Sequence, residues 1–119
     1  MEKLTQQEED AMQAVWKTGE GSVKSFLEAL AEPLPPYTTQ ASTIKNLEKK
    51  GFLSSRKIGS TFLYTPTVSE ESYKKKFLGG VVKDYFENSY KELVTFFIKE
   101  KKISTNELKE LIDLIEAKK

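Results

Sequence analysis

The sequence predicts a mainly α-helical protein with one small β-hairpin, and three observations carry this prediction. Apolar residues recur at helical spacing in three segments before residue 51 and in three more after residue 69. Between the two groups, a Gly-Ser pair separates two runs, the second of them rich in β-branched and aromatic residues, as in a hairpin. With 119 residues, 38% hydrophobic and 31% charged, the chain suits one compact domain carrying an appended arm.

Two helices are predicted in the first third of the chain. The first covers residues 6–18, because Thr5 and Glu8 form a capping-box pattern at its start and two glycines follow its end. Ser22 is a favourable N-cap for the second, which the proline-rich segment 33–36 ends. The residues predicted to face inward are Ala11, Met12, Val15, Trp16, Val23, Phe26, Leu27 and Leu30.

A third helix is predicted from Thr38 to Lys50, ending at Gly51. Its apolar stripe is narrow, because only Ile44 and Leu47 have side chains suited to the core, and Thr43 and Gln40 are expected to flank them. The opposite arc carries hydroxyl, amide and ammonium groups. A helix of this kind packs on one narrow side and exposes a broad hydrogen-bonding surface.

A basic hairpin follows this helix, with its turn at Gly59-Ser60. Three helices and such a hairpin within about 60 residues make up a winged helix-turn-helix. Residues 37–66 contain four lysines and one arginine against Glu48 alone, a net charge of +4, whereas residues 1–36 carry −4 and residues 67–119 carry +1. A basic stretch like this is typical of contact with a polyanion, although a solvated face that balances an acidic neighbour is about as common.

The remaining residues predict a helical arm of three helices. The first covers about 70–86, Asn88-Ser89 interrupts the pattern, and a Ser104-Glu107 capping box opens the last helix. Eighteen apolar side chains lie between Phe77 and Ile115, more than so thin an arm can bury by itself. A second copy of the chain would cover both arms at once. We therefore predict a DNA-binding domain over residues 1–68 and a dimerisation domain over residues 69–119.

Several classes of function are excluded by missing residue types. The sequence has no cysteine and no histidine, so it offers no thiolate nucleophile, no imidazole base and no soft ligand for a transition metal. It also lacks a glycine-rich phosphate loop and a GxSxG turn. We predict that the protein is not an enzyme and has no cofactor. No stretch approaches the ~20 apolar residues of a membrane span and no signal peptide opens the chain, so a cytoplasmic protein without membrane insertion is expected.

Four segments, in order and over nearly the whole chain, resemble the BlaI/MecI penicillinase repressors, which share a winged-helix superfamily with CopY-type copper repressors. They are LTQQEEDAMQAVWK at 4–17, TIKNLEKKGFL at 43–53, KIGSTFLYTP at 57–66 and ISTNELKELIDLIE at 103–116. The resemblance implies a homodimer that represses transcription by binding a palindromic operator in double-stranded DNA. The copper-sensing branch is excluded because it uses a C-terminal cysteine cluster.

The residue pattern and the resemblance together place the third helix in the major groove, with its N-terminus leading. Hydroxyl side chains near its start would contact phosphates or base edges, and cations further along the helix and on the wing would contact the backbone. The predicted DNA-binding residues are Thr38, Thr39, Ser42, Lys45, Asn46, Lys49, Arg56 and Lys57. The predicted dimerisation residues are Phe77, Val81, Tyr85, Leu93, Phe97, Leu108, Leu111, Ile112 and Ile115.

The resemblance also implies how repression ends. Members of the family are cleaved within the arm, by a membrane sensor protease that detects β-lactam or downstream of it. Their scissile bond is Asn-Phe, and this chain aligns Phe96-Phe97 there, which makes these residues a candidate cleavage position of altered sequence. Gln40 and Asn46 also depart from the family, which usually has an aliphatic residue and an arginine at these positions.

Two other functions are compatible with the same residues. A winged fold can use its basic face to bind an acidic protein instead of DNA. Alternatively, the aromatic residues of the arm would enclose a ligand in a small-molecule-sensing repressor. The residues that would line such a pocket are Tyr73, Phe77, Tyr85, Tyr90, Phe96 and Phe97.

Overall fold

The computed structural model describes residues 3–117 and contains six helices and one two-stranded antiparallel sheet in that range. This confirms the predicted fold class. The elements in chain order are α1 (Gln6–Thr18), α2 (Val23–Glu28), α3 (Tyr37–Lys49), β1 (Leu53–Ile58), β2 (Thr61–Pro66), α4 (Glu70–Tyr85), α5 (Tyr90–Lys99) and α6 (Thr105–Ala117).

The chain forms two compact units, one ending at Lys74 and the other starting at Lys75. The first turn of α4 belongs to the first unit because Tyr73 packs on its core. The Tyr73 ring lies 5.6 Å from Trp16 and 5.9 Å from Phe52, and its hydroxyl donates a 3.1 Å hydrogen bond to Glu9 Oε2. Burial, followed by this hydrogen bond, raises the pKa of Tyr73 to about 12. The functional division into residues 1–68 and 69–119 stays a prediction.

Local capping explains where α1 and α2 begin. The Glu8 backbone N–H donates to Thr5 Oγ1 at 3.1 Å, and the Thr5 N–H donates to Glu8 Oε1 at 2.8 Å, so the predicted capping box is confirmed. Ser22 and Ser25 form the equivalent pair at the start of α2. Each pair satisfies amide groups that the helix itself leaves without acceptors.

A single apolar core lies among α1, α2, α3 and the base of the hairpin. Its largest fully buried apolar side chains include Met12, Phe26, Ile44 and Phe52. Leu27 and Leu30 are only half-buried, contrary to the prediction that they face inward. The reason is that α2 ends at Glu28, so the chain turns before helical periodicity can bring Leu30 onto the core.

The hairpin is joined to the rest of the first unit through its backbone. Gly59, with φ +62°, occupies the predicted turn, and Arg56 pairs with Leu63 across the strands. Gly21 and Tyr64 exchange two backbone hydrogen bonds of 3.1 and 2.7 Å, which attaches β2 to the α1–α2 loop. A Cβ on Gly21 would collide with Ser25 Oγ, a member of the capping pair of α2, and would crowd the buried Phe26 ring, so a larger residue here would disturb the start of α2.

The second unit has three short helices and little interior. The capping box between Ser104 and Glu107 is confirmed, and Asn88, with φ +59°, lies in the predicted break. Val82 is the one buried apolar residue between positions 75 and 117. Twelve large apolar side chains in this range are exposed. Within the described part of the chain, no helix is long and apolar enough to cross a membrane.

Candidate nucleic-acid interface

Helix α3 has one buried face and one exposed polar face. Gln40, Thr43, Ile44 and Leu47 are buried against the first unit. The exposed residues of the opposite face are Thr38, Ser42, Lys45, Asn46 and Lys49, all of them predicted to bind DNA. Their spacing of three and four residues brings them onto one side of the helix, where they form a continuous strip of hydrogen-bonding groups.

The start of α3 is open to an anion. Its N-cap is Pro36, which makes no side-chain hydrogen bond to the first turn. The N–H groups of that turn thus have no side-chain cap, and they lie beside the exposed Thr38 hydroxyl, where the helix dipole favours negative charge. Thr39 is half-buried, and its carbonyl accepts a 3.0 Å hydrogen bond from Thr43 Oγ1. Of the two adjacent threonines, Thr38 is the more exposed.

The end of α3 is fixed to α1 by a largely buried ion pair. Lys50 Nζ lies 2.6 Å from Glu8 Oε1, and the Glu8 side chain is 6% exposed. Burial raises the pKa of Glu8, but hydrogen bonds from Lys50 and from the Thr5 backbone outweigh it, so the pKa lies below its usual value. Lys50 is thus committed to holding the helix in place, whereas Lys49 beside it is exposed.

A carboxylate from the α1–α2 loop pairs with the wing arginine. Arg56 Nη2 and Nε donate to the two oxygens of Glu20 at 2.8 and 3.3 Å, and Thr65 Oγ1 donates to Glu20 at 2.8 Å. The hydrogen bond from Arg56 is the largest cause of a lowered pKa at Glu20, and the same bond raises the pKa of Arg56. Both side chains are exposed to solvent, so a phosphate would compete with Glu20 for this guanidinium.

Sequence reasoning missed Glu20, and no local signal could have revealed it. Glu20 and Arg56 are 36 residues apart, and their meeting depends on the Gly21–Tyr64 backbone pairing. Lys57, in contrast, extends over the Phe62 ring, with Nζ 5.8 Å from its centroid. Among residues 3–117, Lys45, Lys49 and Lys57 form no salt bridge.

A groove of about 310 Å³ separates α3 from the tip of the wing. Lys45 lines it from the helix side, and Ser60, Thr61 and Phe62 line it from the wing side. Tyr37 completes its mouth and is 55% exposed. The predicted site did not include the last four of these residues. Tyr37 could have been predicted as part of the site, because it directly precedes Thr38 at the helix start. The wing-tip residues could not, because their place in the site depends on where the hairpin lies in three dimensions.

The predicted dimerisation residues lie in α4, α5 and α6 of the second unit. Phe77, Tyr85, Phe97, Leu111, Ile112 and Ile115 are exposed, and Val81, Leu93 and Leu108 are half-buried. The candidate cleavage residues Phe96 and Phe97 are both exposed and lie inside α5, with their rings 5.9 Å apart.

The arrangement in the first unit suits the binding of a polyanion. No group of three or more aspartate, glutamate, histidine or cysteine side chains in the described residues could hold a metal ion. The first unit instead combines an uncapped helix start, a polar helix face and a wing with cations. Each of these features suits a phosphate backbone.

Comparison with known proteins gives consistent matches over the whole chain. Residues 4–117 match the family model described as penicillinase repressor. The chain is 24% identical over 119 residues to a penicillinase repressor from Bacillus licheniformis, covering 98% of this chain and 92% of that protein. It is 24% identical over 118 residues to the methicillin resistance regulatory protein MecI of Staphylococcus aureus, covering 98% and 95%.

One solved structure with a similar fold is that of BpsR from Bordetella bronchiseptica, described as showing a mechanism for regulation of its DNA binding by 6-hydroxynicotinic acid. The TM-score is 0.50 at 16% sequence identity, and the match covers 98% of this chain and 76% of that one. This likeness concerns the fold.

Proposed function

Because this chain belongs to the penicillinase repressor family and is a transcriptional repressor rather than an enzyme, we propose that it acts as a homodimer on a palindromic operator in double-stranded DNA. The observation that carries this proposal is the polar face of α3. That face is exposed along the helix, while the opposite face is anchored in the core. A helix held on one side and polar on the other has the form of a recognition helix.

In the proposed complex, α3 enters the major groove with its N-terminus first. The Thr38 hydroxyl and the open N–H groups bind a phosphate at the groove edge. Ser42, Lys45 and Asn46 reach base edges, because hydroxyl, ammonium and amide groups can all pair with the donors and acceptors displayed there. Thr39 and Lys49 contact the flanking backbone.

The wing supplies contacts that carry charge but no base recognition. Lys57 is exposed and not engaged in a described salt bridge, so it is the principal phosphate contact of the hairpin. Arg56 reaches phosphate only when its guanidinium exchanges Glu20 for the DNA. The groove between Lys45 and the wing tip accommodates the sugar-phosphate strand between the two contacts.

The second unit supplies the dimer interface. The apolar side chains that it exposes, among them Tyr85 at 78% and Ile115 at 61%, are costly to leave in water. A two-fold interface covers the same surface on both copies. Two winged domains then read half-sites about 34 Å apart, which provides the specificity that a single module of about 600–1,000 Å² seldom reaches.

Derepression follows from loss of this interface. A cut between Phe96 and Phe97 would divide α5 and release α6 from the arm. The protease that makes this cut would be a membrane sensor protease or a protease downstream of one. Because the bond differs from the family's Asn-Phe, the signal that activates this protease does not follow from the family. Binding to an operator places the repressor itself in the cytoplasm.

The substitution Ser42→Asp tests the groove assignment. Ser42 is exposed, so the protomer should keep its stability, but a carboxylate facing phosphates and base edges should reduce operator affinity by at least about 100-fold. The measurement is a gel-shift titration with the inverted repeats found upstream of the gene, in the presence of excess non-specific duplex. Ser72→Asp is the matched control, because it adds the same charge at an exposed helical serine of α4.

Equal binding by the Ser42→Asp protein and the control would remove α3 from the interface. Binding should also weaken steeply with salt, because cations on the protein displace counterions from the DNA. If the unmodified protein retains no duplex at any salt concentration, the basic face serves a protein partner instead.

A further inference from the structure

A second, larger cavity lies in the first unit, away from the exposed face of α3. It is a cleft of about 1130 Å³ between α1 and the proline-rich segment that connects α2 to α3. Apolar side chains from both sides line it, including Trp16, Leu30 and Leu34. This volume lies slightly above the roughly 300–1,000 Å³ of pockets that hold small organic molecules, so such a molecule would fill only part of the cleft. Nothing in the DNA-binding role described above uses the cleft.

Gln40 gives this cleft a polar group without a partner. Gln40 is 1% exposed, belongs to the wall of the cleft, and lies on the buried face of α3. Its Nε2 is buried and has no hydrogen-bond partner among the described residues. Buried amide groups are nearly always paired, so one that is not marks a position where a further acceptor would be stabilising. An amide nitrogen needs an acceptor oxygen.

The charges around the cleft restrict the kind of acceptor. Asp10 and Glu70 line it together with one cation, Lys17, so the lining side chains that carry charge are negative in sum. The Asp10 carboxylate accepts a 3.0 Å hydrogen bond from the Gln6 side chain. A carboxylate ligand would be repelled by two acids, whereas a neutral carbonyl would pair with Gln40 without that repulsion.

We propose that this cleft is a binding site for a small neutral molecule that has an apolar, preferably aromatic, body and a carbonyl oxygen that accepts a hydrogen bond from Gln40 Nε2. The apolar body packs among Trp16, Leu30 and Leu34. The carbonyl reaches the buried amide from the side of α1. Recognition thus combines burial of apolar area with one directional hydrogen bond.

Occupancy of the cleft acts on α3 because Gln40 is part of that helix. The backbone N–H of Gln40 donates to the Pro36 carbonyl at 3.1 Å, within the first turn that carries Thr38 and Thr39. A ligand that accepts a hydrogen bond from Gln40 therefore changes the preferred position of the first turn of α3. This coupling rests on the proposed function, whereas binding in the cleft does not depend on it.

The test is a titration of the ¹⁵N-labelled full-length protein with acetophenone, followed by nuclear magnetic resonance in the absence of DNA. The comparison compound is α-methylstyrene, which has nearly the same shape but carries a methylene group where acetophenone has its carbonyl oxygen. We expect acetophenone to shift the Gln40 side-chain amide and the Trp16 indole resonances. α-Methylstyrene should shift the indole more weakly and leave the Gln40 amide unchanged.

Two variants extend the test. Gln40→Leu removes the donor and leaves an apolar side chain in a buried position, and should weaken acetophenone binding about fivefold, measured at the Trp16 indole. Gln13→Leu is the matched control, since Gln13 also lines the cleft but is exposed, and it should bind nearly as the unmodified protein does. If Gln40→Leu does not fold, the Gln40 amide resonance of the unmodified protein decides the question.

The proposal is overturned if the two compounds shift the same resonances equally, if neither shifts the Gln40 amide at concentrations of about 10 mM, or if a bound water alone is found on Nε2. Because no DNA is present, such a failure would leave the proposed operator binding unaffected. Loss of operator binding in a gel shift would, in turn, leave the cleft result standing.

Discussion

The two units of this protein bury their apolar side chains to very different extents. In the first, eleven buried residues from α1, α2, α3 and the hairpin form one cluster. In the second, Val82 is the one buried apolar residue among those described, and twelve large apolar side chains are exposed. The first unit therefore has its own core, whereas the second leaves most of its large apolar side chains in contact with solvent.

The largest effect is expected from deleting a ring in the first unit. Phe52 is fully buried, so Phe52→Ala should lower the free energy of unfolding by about 3–5 kcal/mol through lost burial and the cavity left behind. Phe97→Ala, at a half-exposed ring of the second unit, should cost the isolated protomer less than about 1 kcal/mol. Denaturant titration at low protein concentration compares the two. Equal losses would mean that the second unit has a core of its own.

A charge introduced on the exposed apolar side of α6 should instead weaken self-association of the proposed dimer. The side chains of Leu111 and Ile115 are exposed and one helical turn apart, so the double substitution by Asp should leave the protomer folded. It should weaken self-association by about 2–4 kcal/mol, seen as monomers in sedimentation velocity. Asn106→Asp in the first turn of the same helix is the control. Unchanged sedimentation of the double variant would exclude this part of α6 from the interface.

A smaller effect is expected from the Glu8–Lys50 pair that fixes α3. The pKa of Glu8 in the folded protein lies below its usual value of 4.5, so this carboxylate stabilises the fold above pH 4.5. The contribution is lost as the pH falls through the lowered pKa. Glu8→Gln should therefore cost about 1–3 kcal/mol near pH 7 and progressively less below pH 4.5. Unfolding free energies of both proteins across this pH range give the measurement, and a constant difference would contradict it.

The smallest effect concerns the wing surface. Glu20→Gln removes the carboxylate that competes with phosphate for Arg56, and should raise duplex affinity about two- to threefold and steepen the salt dependence by about one. Stability should change little, because the pair is solvent-exposed. Glu28→Gln removes an equal charge at an exposed position and serves as the control. An identical gain in both variants would attribute the effect to net charge alone.

The sequence predicted most of what is determined by neighbouring residues. The Thr5–Glu8 capping box, the Gly59 turn and the polar face of α3 each follow from residues a few positions apart, and each is present in the structure. The family could also be predicted from the sequence, because its matching segments span the chain in order. The DNA contacts and dimer residues stay predictions, since no partner molecule defines them.

Features that join distant segments could not be predicted in the same way. The Glu20–Arg56 pair spans 36 positions and exists because the α1–α2 loop meets strand β1 in space. Gln40 was expected to flank the core, but its full burial depends on how the connecting segment folds over α3. Leu30 was expected in the core on helical spacing, but α2 is only six residues long, so the periodicity did not continue.

The two hydrogen bonds between Gly21 and Tyr64 have a consequence for how such a repressor can change its target. They use main-chain atoms only, so they fix the orientation of the hairpin independently of the side chains at its tip. The side chains at positions 56–58 and 60–62 can therefore change while the orientation of the hairpin is preserved, whereas Gly59, at φ +62°, must remain glycine. A change of DNA target would then need new side chains on a hairpin whose orientation stays the same, whereas a larger residue at position 21 would disturb the capping pair of α2.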